Sequence, residues 1–142
     1  MTKILVAVDG SENALRAAAF AAGMAAQCGG AQVTLLHVIV PVERYLKFFA
    51  DLPMPQMEED QQKYAAETLA DAAGPFTAAG LPVESRIVDG DPGQAIARYA
   101  GDNGFDQIVM GTRGLGDFKG LILGSVSHQV IHLARCPVTL VK

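Results

Sequence analysis

Short apolar runs separated by stretches of helical spacing constrain this chain more than any other feature. The runs fall at residues 3–8, 33–40, 83–88, 105–110 and 138–141. The first is apolar from Ile4 onward and rich in branched side chains, the pattern of a strand buried on both faces. Helical patterns fill residues 12–27, 57–73, 93–100 and 126–134. Strands that alternate with helices build a parallel sheet with helices on both faces. Each crossover is then right-handed, because only that hand packs the helix back onto the sheet.

Local punctuation agrees. Ser11 is placed to cap the first helix, and Gly29-Gly30 to end it. Pro41 stops the second strand. Gly74-Pro75 is expected to end or kink the second long helix, and Gly80-Leu81-Pro82 closes that region. Asp91 reads as an N-cap with Pro92 at the first helical position. Residues 41–56 contain Pro41, Pro53 and Pro55 with Tyr45, Phe48 and Phe49. A connection of that length is usually functional or mobile, and a short helix that packs on or lids a site is expected there.

The length, 142 residues, suits a single domain over 1–142. Half of the residues are hydrophobic and 18% are charged, a globular balance. Net charge is −4 with no basic stripe, which argues against nucleic-acid binding. The longest small-and-apolar run, residues 17–26, is too short to span a bilayer and is mostly alanine, so it reads as helix. Residues 4–8 are too few for a secretory signal. Cys28 and Cys136 share no metal or redox spacing and read as free thiols or small buried residues. A reducing cytoplasm is the expected location.

The chemistry concentrates near the carboxy terminus. Met110-Gly111-Thr112-Arg113-Gly114 closes the fourth strand, and after nine intervening residues Gly124-Ser125-Val126-Ser127 opens the last helix. Glycine lets backbone approach a ligand without a Cβ in the way. The first turn of a helix offers unpaired N–H groups and the positive end of the dipole. The combination suits a bound phosphate. Ser125 and Ser127 can add hydroxyl donors, and Arg113 and Lys119 flank the loop with positive charge. The plainer reading is three turn glycines: a strand end, a bend and a cap.

Other motifs fail on context. Gly114-Leu115-Gly116 with Gly120 echoes a dinucleotide fingerprint, but it follows the fourth strand and lacks the acidic residue about 20 positions on. No P-loop and no nucleophile elbow exists. His128 and His132 lie one helical turn apart, with Gln129 where a zinc protease has Glu, so a helix face or subunit contact is the simpler reading. His37, inside an apolar strand, reads as a satisfied core histidine.

The glycine run resembles the ATP-binding motif of the universal stress protein family. Ile4-Leu-Val-Ala-Val-Asp9-Gly-Ser11 resembles that family's first strand and loop, Leu36-His37-Val38 its second strand, and Cys136-Pro-Val-Thr-Leu-Val141 its last. The resemblance spans essentially the whole chain. It implies a three-layer α/β/α fold of the adenine nucleotide alpha hydrolase-like type, with five parallel strands in the order 3-2-1-4-5. In open parallel sheets ligands bind where strand order reverses, here between the first and fourth strands.

The resemblance also implies roles. Gly111, Gly114, Gly124, Ser125, Val126 and Ser127 would hold ribose and phosphates. The backbone of Val38 would pair with the adenine edge. Asp9 would lie near the ribose or a phosphate-bound Mg²⁺, although it also reads as a turn residue bonding its own backbone. Ala7, Val8 and Met110 would line the base and sugar pocket. ATP, or ADP or AMP, is the implied ligand, and a homodimer through the last strand the implied assembly. Function is then a nucleotide-binding regulatory module. Slow ATP hydrolysis or nucleotidyl transfer, and a nucleotide-free dimeric interaction protein, are the competing readings.

Overall fold

The computed structural model describes residues 1–46, 53–115, 120 and 122–142. Its strands are β1 (Lys3–Ala7), β2 (Gln32–Ile39), β3 (Glu84–Asp89), β4 (Gln107–Gly111) and β5 (Val138–Val141). Its helices are α1 (Glu12–Cys28), α2 (Glu43–Leu46), α3 (Met54–Ala78), α4 (Pro92–Asp102) and α5 (Ser125–Leu133). The strands form one parallel sheet in the order β3-β2-β1-β4-β5. The parallel pairing is what the alternation implies, and the reversal of order around β1 is what the family resemblance implies.

Side-chain alternation along β1 divides the core. Ile4, Val6 and Val8 pack on one side with the alanines of α1 and with Leu69, Ala72 and Phe76 of α3. Leu5 and Ala7 pack on the other with Ile96 and Ala100 of α4 and Val130 of α5. Ala14, Ala17, Ala18, Ala21, Ala22 and Ala25 of α1 are all buried. Their small side chains let α1 lie close over β1 and β4. The alanine run is therefore a packing surface, and no described helix is long and apolar enough to cross a membrane.

Several local expectations hold. Ser11 Oγ accepts from the Ala14 N–H at 3.2 Å, and Gly29 closes α1 in the left-handed region at φ 61°. Pro92 occupies the first turn of α4, and Asp91 stands at the N-cap, but its side chain makes no capping bond. The carboxylate instead faces Arg44, with Oδ1 3.6 Å from a guanidinium nitrogen. Its Oδ2 is buried with no partner among the described residues.

The expected break at Gly74-Pro75 is a correction. Helix α3 continues through Pro75 to Ala78. Proline removes one helical hydrogen bond, but Ala72 and Phe76, each 0% exposed, anchor the helix on either side. Burial of that face outweighs the local preference. The same helix begins at Met54, three residues earlier than the sequence pattern suggested. Within the 41–56 connection the expected short helix is α2; Phe48 and Phe49 lie outside the described residues.

Candidate functional site

A cavity of ≈ 420 Å³ opens at the carboxyl ends of β1, β2 and β4, beside the first turn of α5. Ala7, Val8 and Asp9 enter it from β1 and its turn, Val38 from β2, and Met110, Gly111, Arg113 and Gly114 from β4 and its loop. Ser125, Val126 and Ser127 enter from α5. Nearly every residue singled out in the sequence thus converges on one hollow. Gly124 does not line it: as N-cap of α5 it donates its N–H to the Thr112 carbonyl at 2.7 Å, closing the loop behind the hollow. Lys119 lies outside the described residues.

The β2 wall presents a backbone donor and acceptor. The Leu36 carbonyl accepts from the Val8 N–H, and the Ile39 carbonyl accepts from the Gly90 N–H. Alternate residues of a strand address alternate neighbours. Val38 therefore turns its N–H and C=O toward the β1 side, where the β1–β2 register has already ended at Ala7↔Leu36. In a continuing ladder the Val8 carbonyl would accept from Val38. It instead meets Nδ1 of His37 at 2.9 Å. A carbonyl only accepts, so Nδ1 carries the proton. His37 is 6% exposed and is a satisfied core histidine.

Asp9 joins the two loops. Its Oδ1 accepts from the Ser11 N–H at 2.9 Å, the local turn bond, and its Oδ2 accepts from the Leu115 N–H at 3.2 Å. The β1 turn and the glycine loop are thereby held together by one carboxylate. Ser127 is also structural: its hydroxyl donates to the Gly111 carbonyl at 2.8 Å. The hydroxyl proton expected for a ligand is spent inside the protein, although the Ser127 backbone still belongs to the first turn of α5. That turn has no side-chain cap, and its residues Ser125, Val126 and Ser127 line the hollow, so its unpaired N–H groups lie at the hollow's edge.

Helix α3 contributes two residues that the sequence did not suggest. The Tyr64 hydroxyl donates to the Asp9 carbonyl at 2.5 Å, and the Gln61 amide donates to the Val40 carbonyl at 2.7 Å. Both line the cavity. Together they tie the chain just beyond β1 and β2 to α3. Gly10 permits this approach: it sits at φ +91°, and a Cβ there would lie 2.1 Å from the Tyr64 hydroxyl. Among the described residues no group of three or more His, Cys, Asp or Glu is arranged to hold a metal ion.

Comparison with known proteins agrees with the fold. A family model described as the universal stress protein family matches residues 1–142. A universal stress protein from Thermus aquaticus is 41% identical, covering 98% of this chain and 97% of its own. A Methanocaldococcus jannaschii protein, solved as a structure-based assignment of biochemical function, is 31% identical with a TM-score of 0.83, covering 99% of this chain and 95% of its own. A universal stress protein from Archaeoglobus fulgidus, solved in complex with dAMP, is 26% identical with a TM-score of 0.74, covering 100% and 98%.

Proposed function

The chain belongs to the universal stress protein family, and from that premise we propose that it binds an adenine nucleotide, ATP above all, and acts as a regulatory module. One observation carries the reading. The hollow has a strand backbone with a free-facing donor and acceptor at one end and an uncapped helix first turn at the other. The first matches the edge of adenine, which offers an acceptor ring nitrogen beside an amino donor. The second matches phosphate. Ala7, Val8, Met110 and Ile96 give the apolar sides that a base and sugar need. The dAMP complex of the Archaeoglobus relative supports the same ligand class.

In this reading the Gly111–Gly114 loop and the first turn of α5 hold ribose and phosphates through main-chain N–H groups. Arg113 adds positive charge from the loop. Mg²⁺ would be carried by phosphates and water, as it often is, with Asp9 nearby. A regulatory role fits better than turnover. Among the described residues Asp9 is the one acid that lines the hollow, and both of its oxygens already accept backbone N–H bonds. Phosphoryl transfer needs a positioned nucleophile and several charge clamps. Binding energy instead acts by biasing conformation or partner choice.

We further propose that residues 1–142 act as a single domain in the cytoplasm, and that β5 pairs with its twin in a homodimer. The strand lies at the edge of the sheet, and each of its residues is half-buried, so its outer side calls for cover. The decisive experiment denatures freshly purified protein, chromatographs the released small molecules, and titrates ATP, ADP and AMP calorimetrically. Adenine nucleotide is expected in the released fraction, with saturable ATP binding and no turnover. Absence of binding at millimolar ATP would favour the nucleotide-free interaction protein. Hydrolysis lost in Asp9→Ala or Ser125→Ala would favour the enzyme.

A further inference from the structure

A second concave surface lies away from the nucleotide cavity. A groove of ≈ 600 Å³ lies between α4 and α5, lined in part by Ala97 and Gly101. Arg98 of α4 and Arg135, just past α5, also line it. These two arginines differ from the others described. Arg16 contacts Glu12 and Asn13, Arg44 faces Asp91, Arg86 pairs with Glu84, and Arg113 also has a partner. Arg98 and Arg135 make no ion pair or hydrogen bond among the described residues. His128 and His132 extend the same wall, their rings 4.6 Å apart and edge-on. Among the described residues the one acid lining the groove is Asp102.

We infer that this groove docks an acidic segment of a partner protein. Two unengaged guanidiniums facing one hollow reverse, locally, the sign of a chain whose net charge is −4. Guanidinium presents a planar fork that matches carboxylate. Such groups raise specificity and association rate more than raw affinity. A single exposed pair is worth little, so one small anion would be held weakly. Several carboxylates in series along an open groove answer both arginines at once. A nucleic acid is a poorer match, because its long charged backbone would also meet the acidic remainder of the surface.

Gly101 allows a test that leaves the charges alone. A Cβ there meets nothing within 4 Å, so a side chain can be added at this groove residue without a clash at its base. Fluorescence anisotropy with a labelled glutamate-rich octapeptide is the measurement. Binding should be saturable and should weaken as added salt shortens the screening length below ~10 Å. Arg98→Glu with Arg135→Glu should weaken it by about tenfold, and Gly101→Trp should do the same by filling the groove. Arg86→Glu, remote and paired, should have little effect. Nucleotide retention serves as the fold check in each variant. The proposal is overturned if no peptide binds, if both groove variants bind as the parent does, or if a single-stranded RNA of equal length binds more tightly through the same arginines.

Discussion

Asp9, Gly10 and Tyr64 meet in one tight knot at the scale of single residues. Removing the carboxylate in Asp9→Ala leaves the Ser11 and Leu115 N–H groups without their acceptor. Bonds to a charged acceptor contribute about 1.5–3 kcal/mol when well formed, and part exposure here places the loss near the lower end. Urea denaturation should record it, together with weaker ATP binding by calorimetry. Gly10→Ala must place a methyl in the left-handed region and against the Tyr64 hydroxyl, for about 1–3 kcal/mol. In a Tyr64→Phe background the same change should cost less, because the hydroxyl it strikes is gone; equal costs in both backgrounds would refute that contact. Cysteine chemistry separates the two thiols. Burial, with the Asp106 charge a smaller cause, pushes the Cys136 thiol up from its ordinary range, while Cys28 is exposed. Alkylation at neutral pH should modify Cys28 first, with Cys136 following as pH rises; mass spectrometry of a time course would reveal the order.

Elements respond to their neighbours as much as to their own sequence. Ser11 and Gly29 mark the ends of α1 because a cap is decided within four residues of chain. Pro75 is different: its local cost was legible, but the buried Phe76 and Ala72 that override it are a tertiary matter. Pro75→Ala should therefore stabilise α3 by up to about 3 kcal/mol, read as a higher urea midpoint with unchanged slope. At the other end of the fold, α5 and the glycine loop act together. Gly114→Val should abolish nucleotide retention while the circular dichroism spectrum stays that of the parent. Undiminished retention would remove the phosphates from the place proposed for them.

For the molecule as a whole, ligand and fold are linked by mass action. ATP at about 100 times its dissociation constant should add about 2.7 kcal/mol to stability, visible as a rise in melting temperature that Gly114→Val lacks. Sedimentation should find a dimer at micromolar concentration, and a monomer there would reject pairing through β5. The sequence by itself determined the alternation of strand and helix, the Ser11 and Gly29 caps of α1, and a glycine loop after β4, because each depends on residues near one another in the chain. Only the tertiary structure decided that Tyr64 and Gln61 brace the cavity, that the Ser127 hydroxyl is spent on Gly111, and that Arg98 and Arg135 share a groove. Those contacts join segments brought together by the closing of the sheet and the packing of helices on it, and no local pattern encodes which distant partner a side chain will meet.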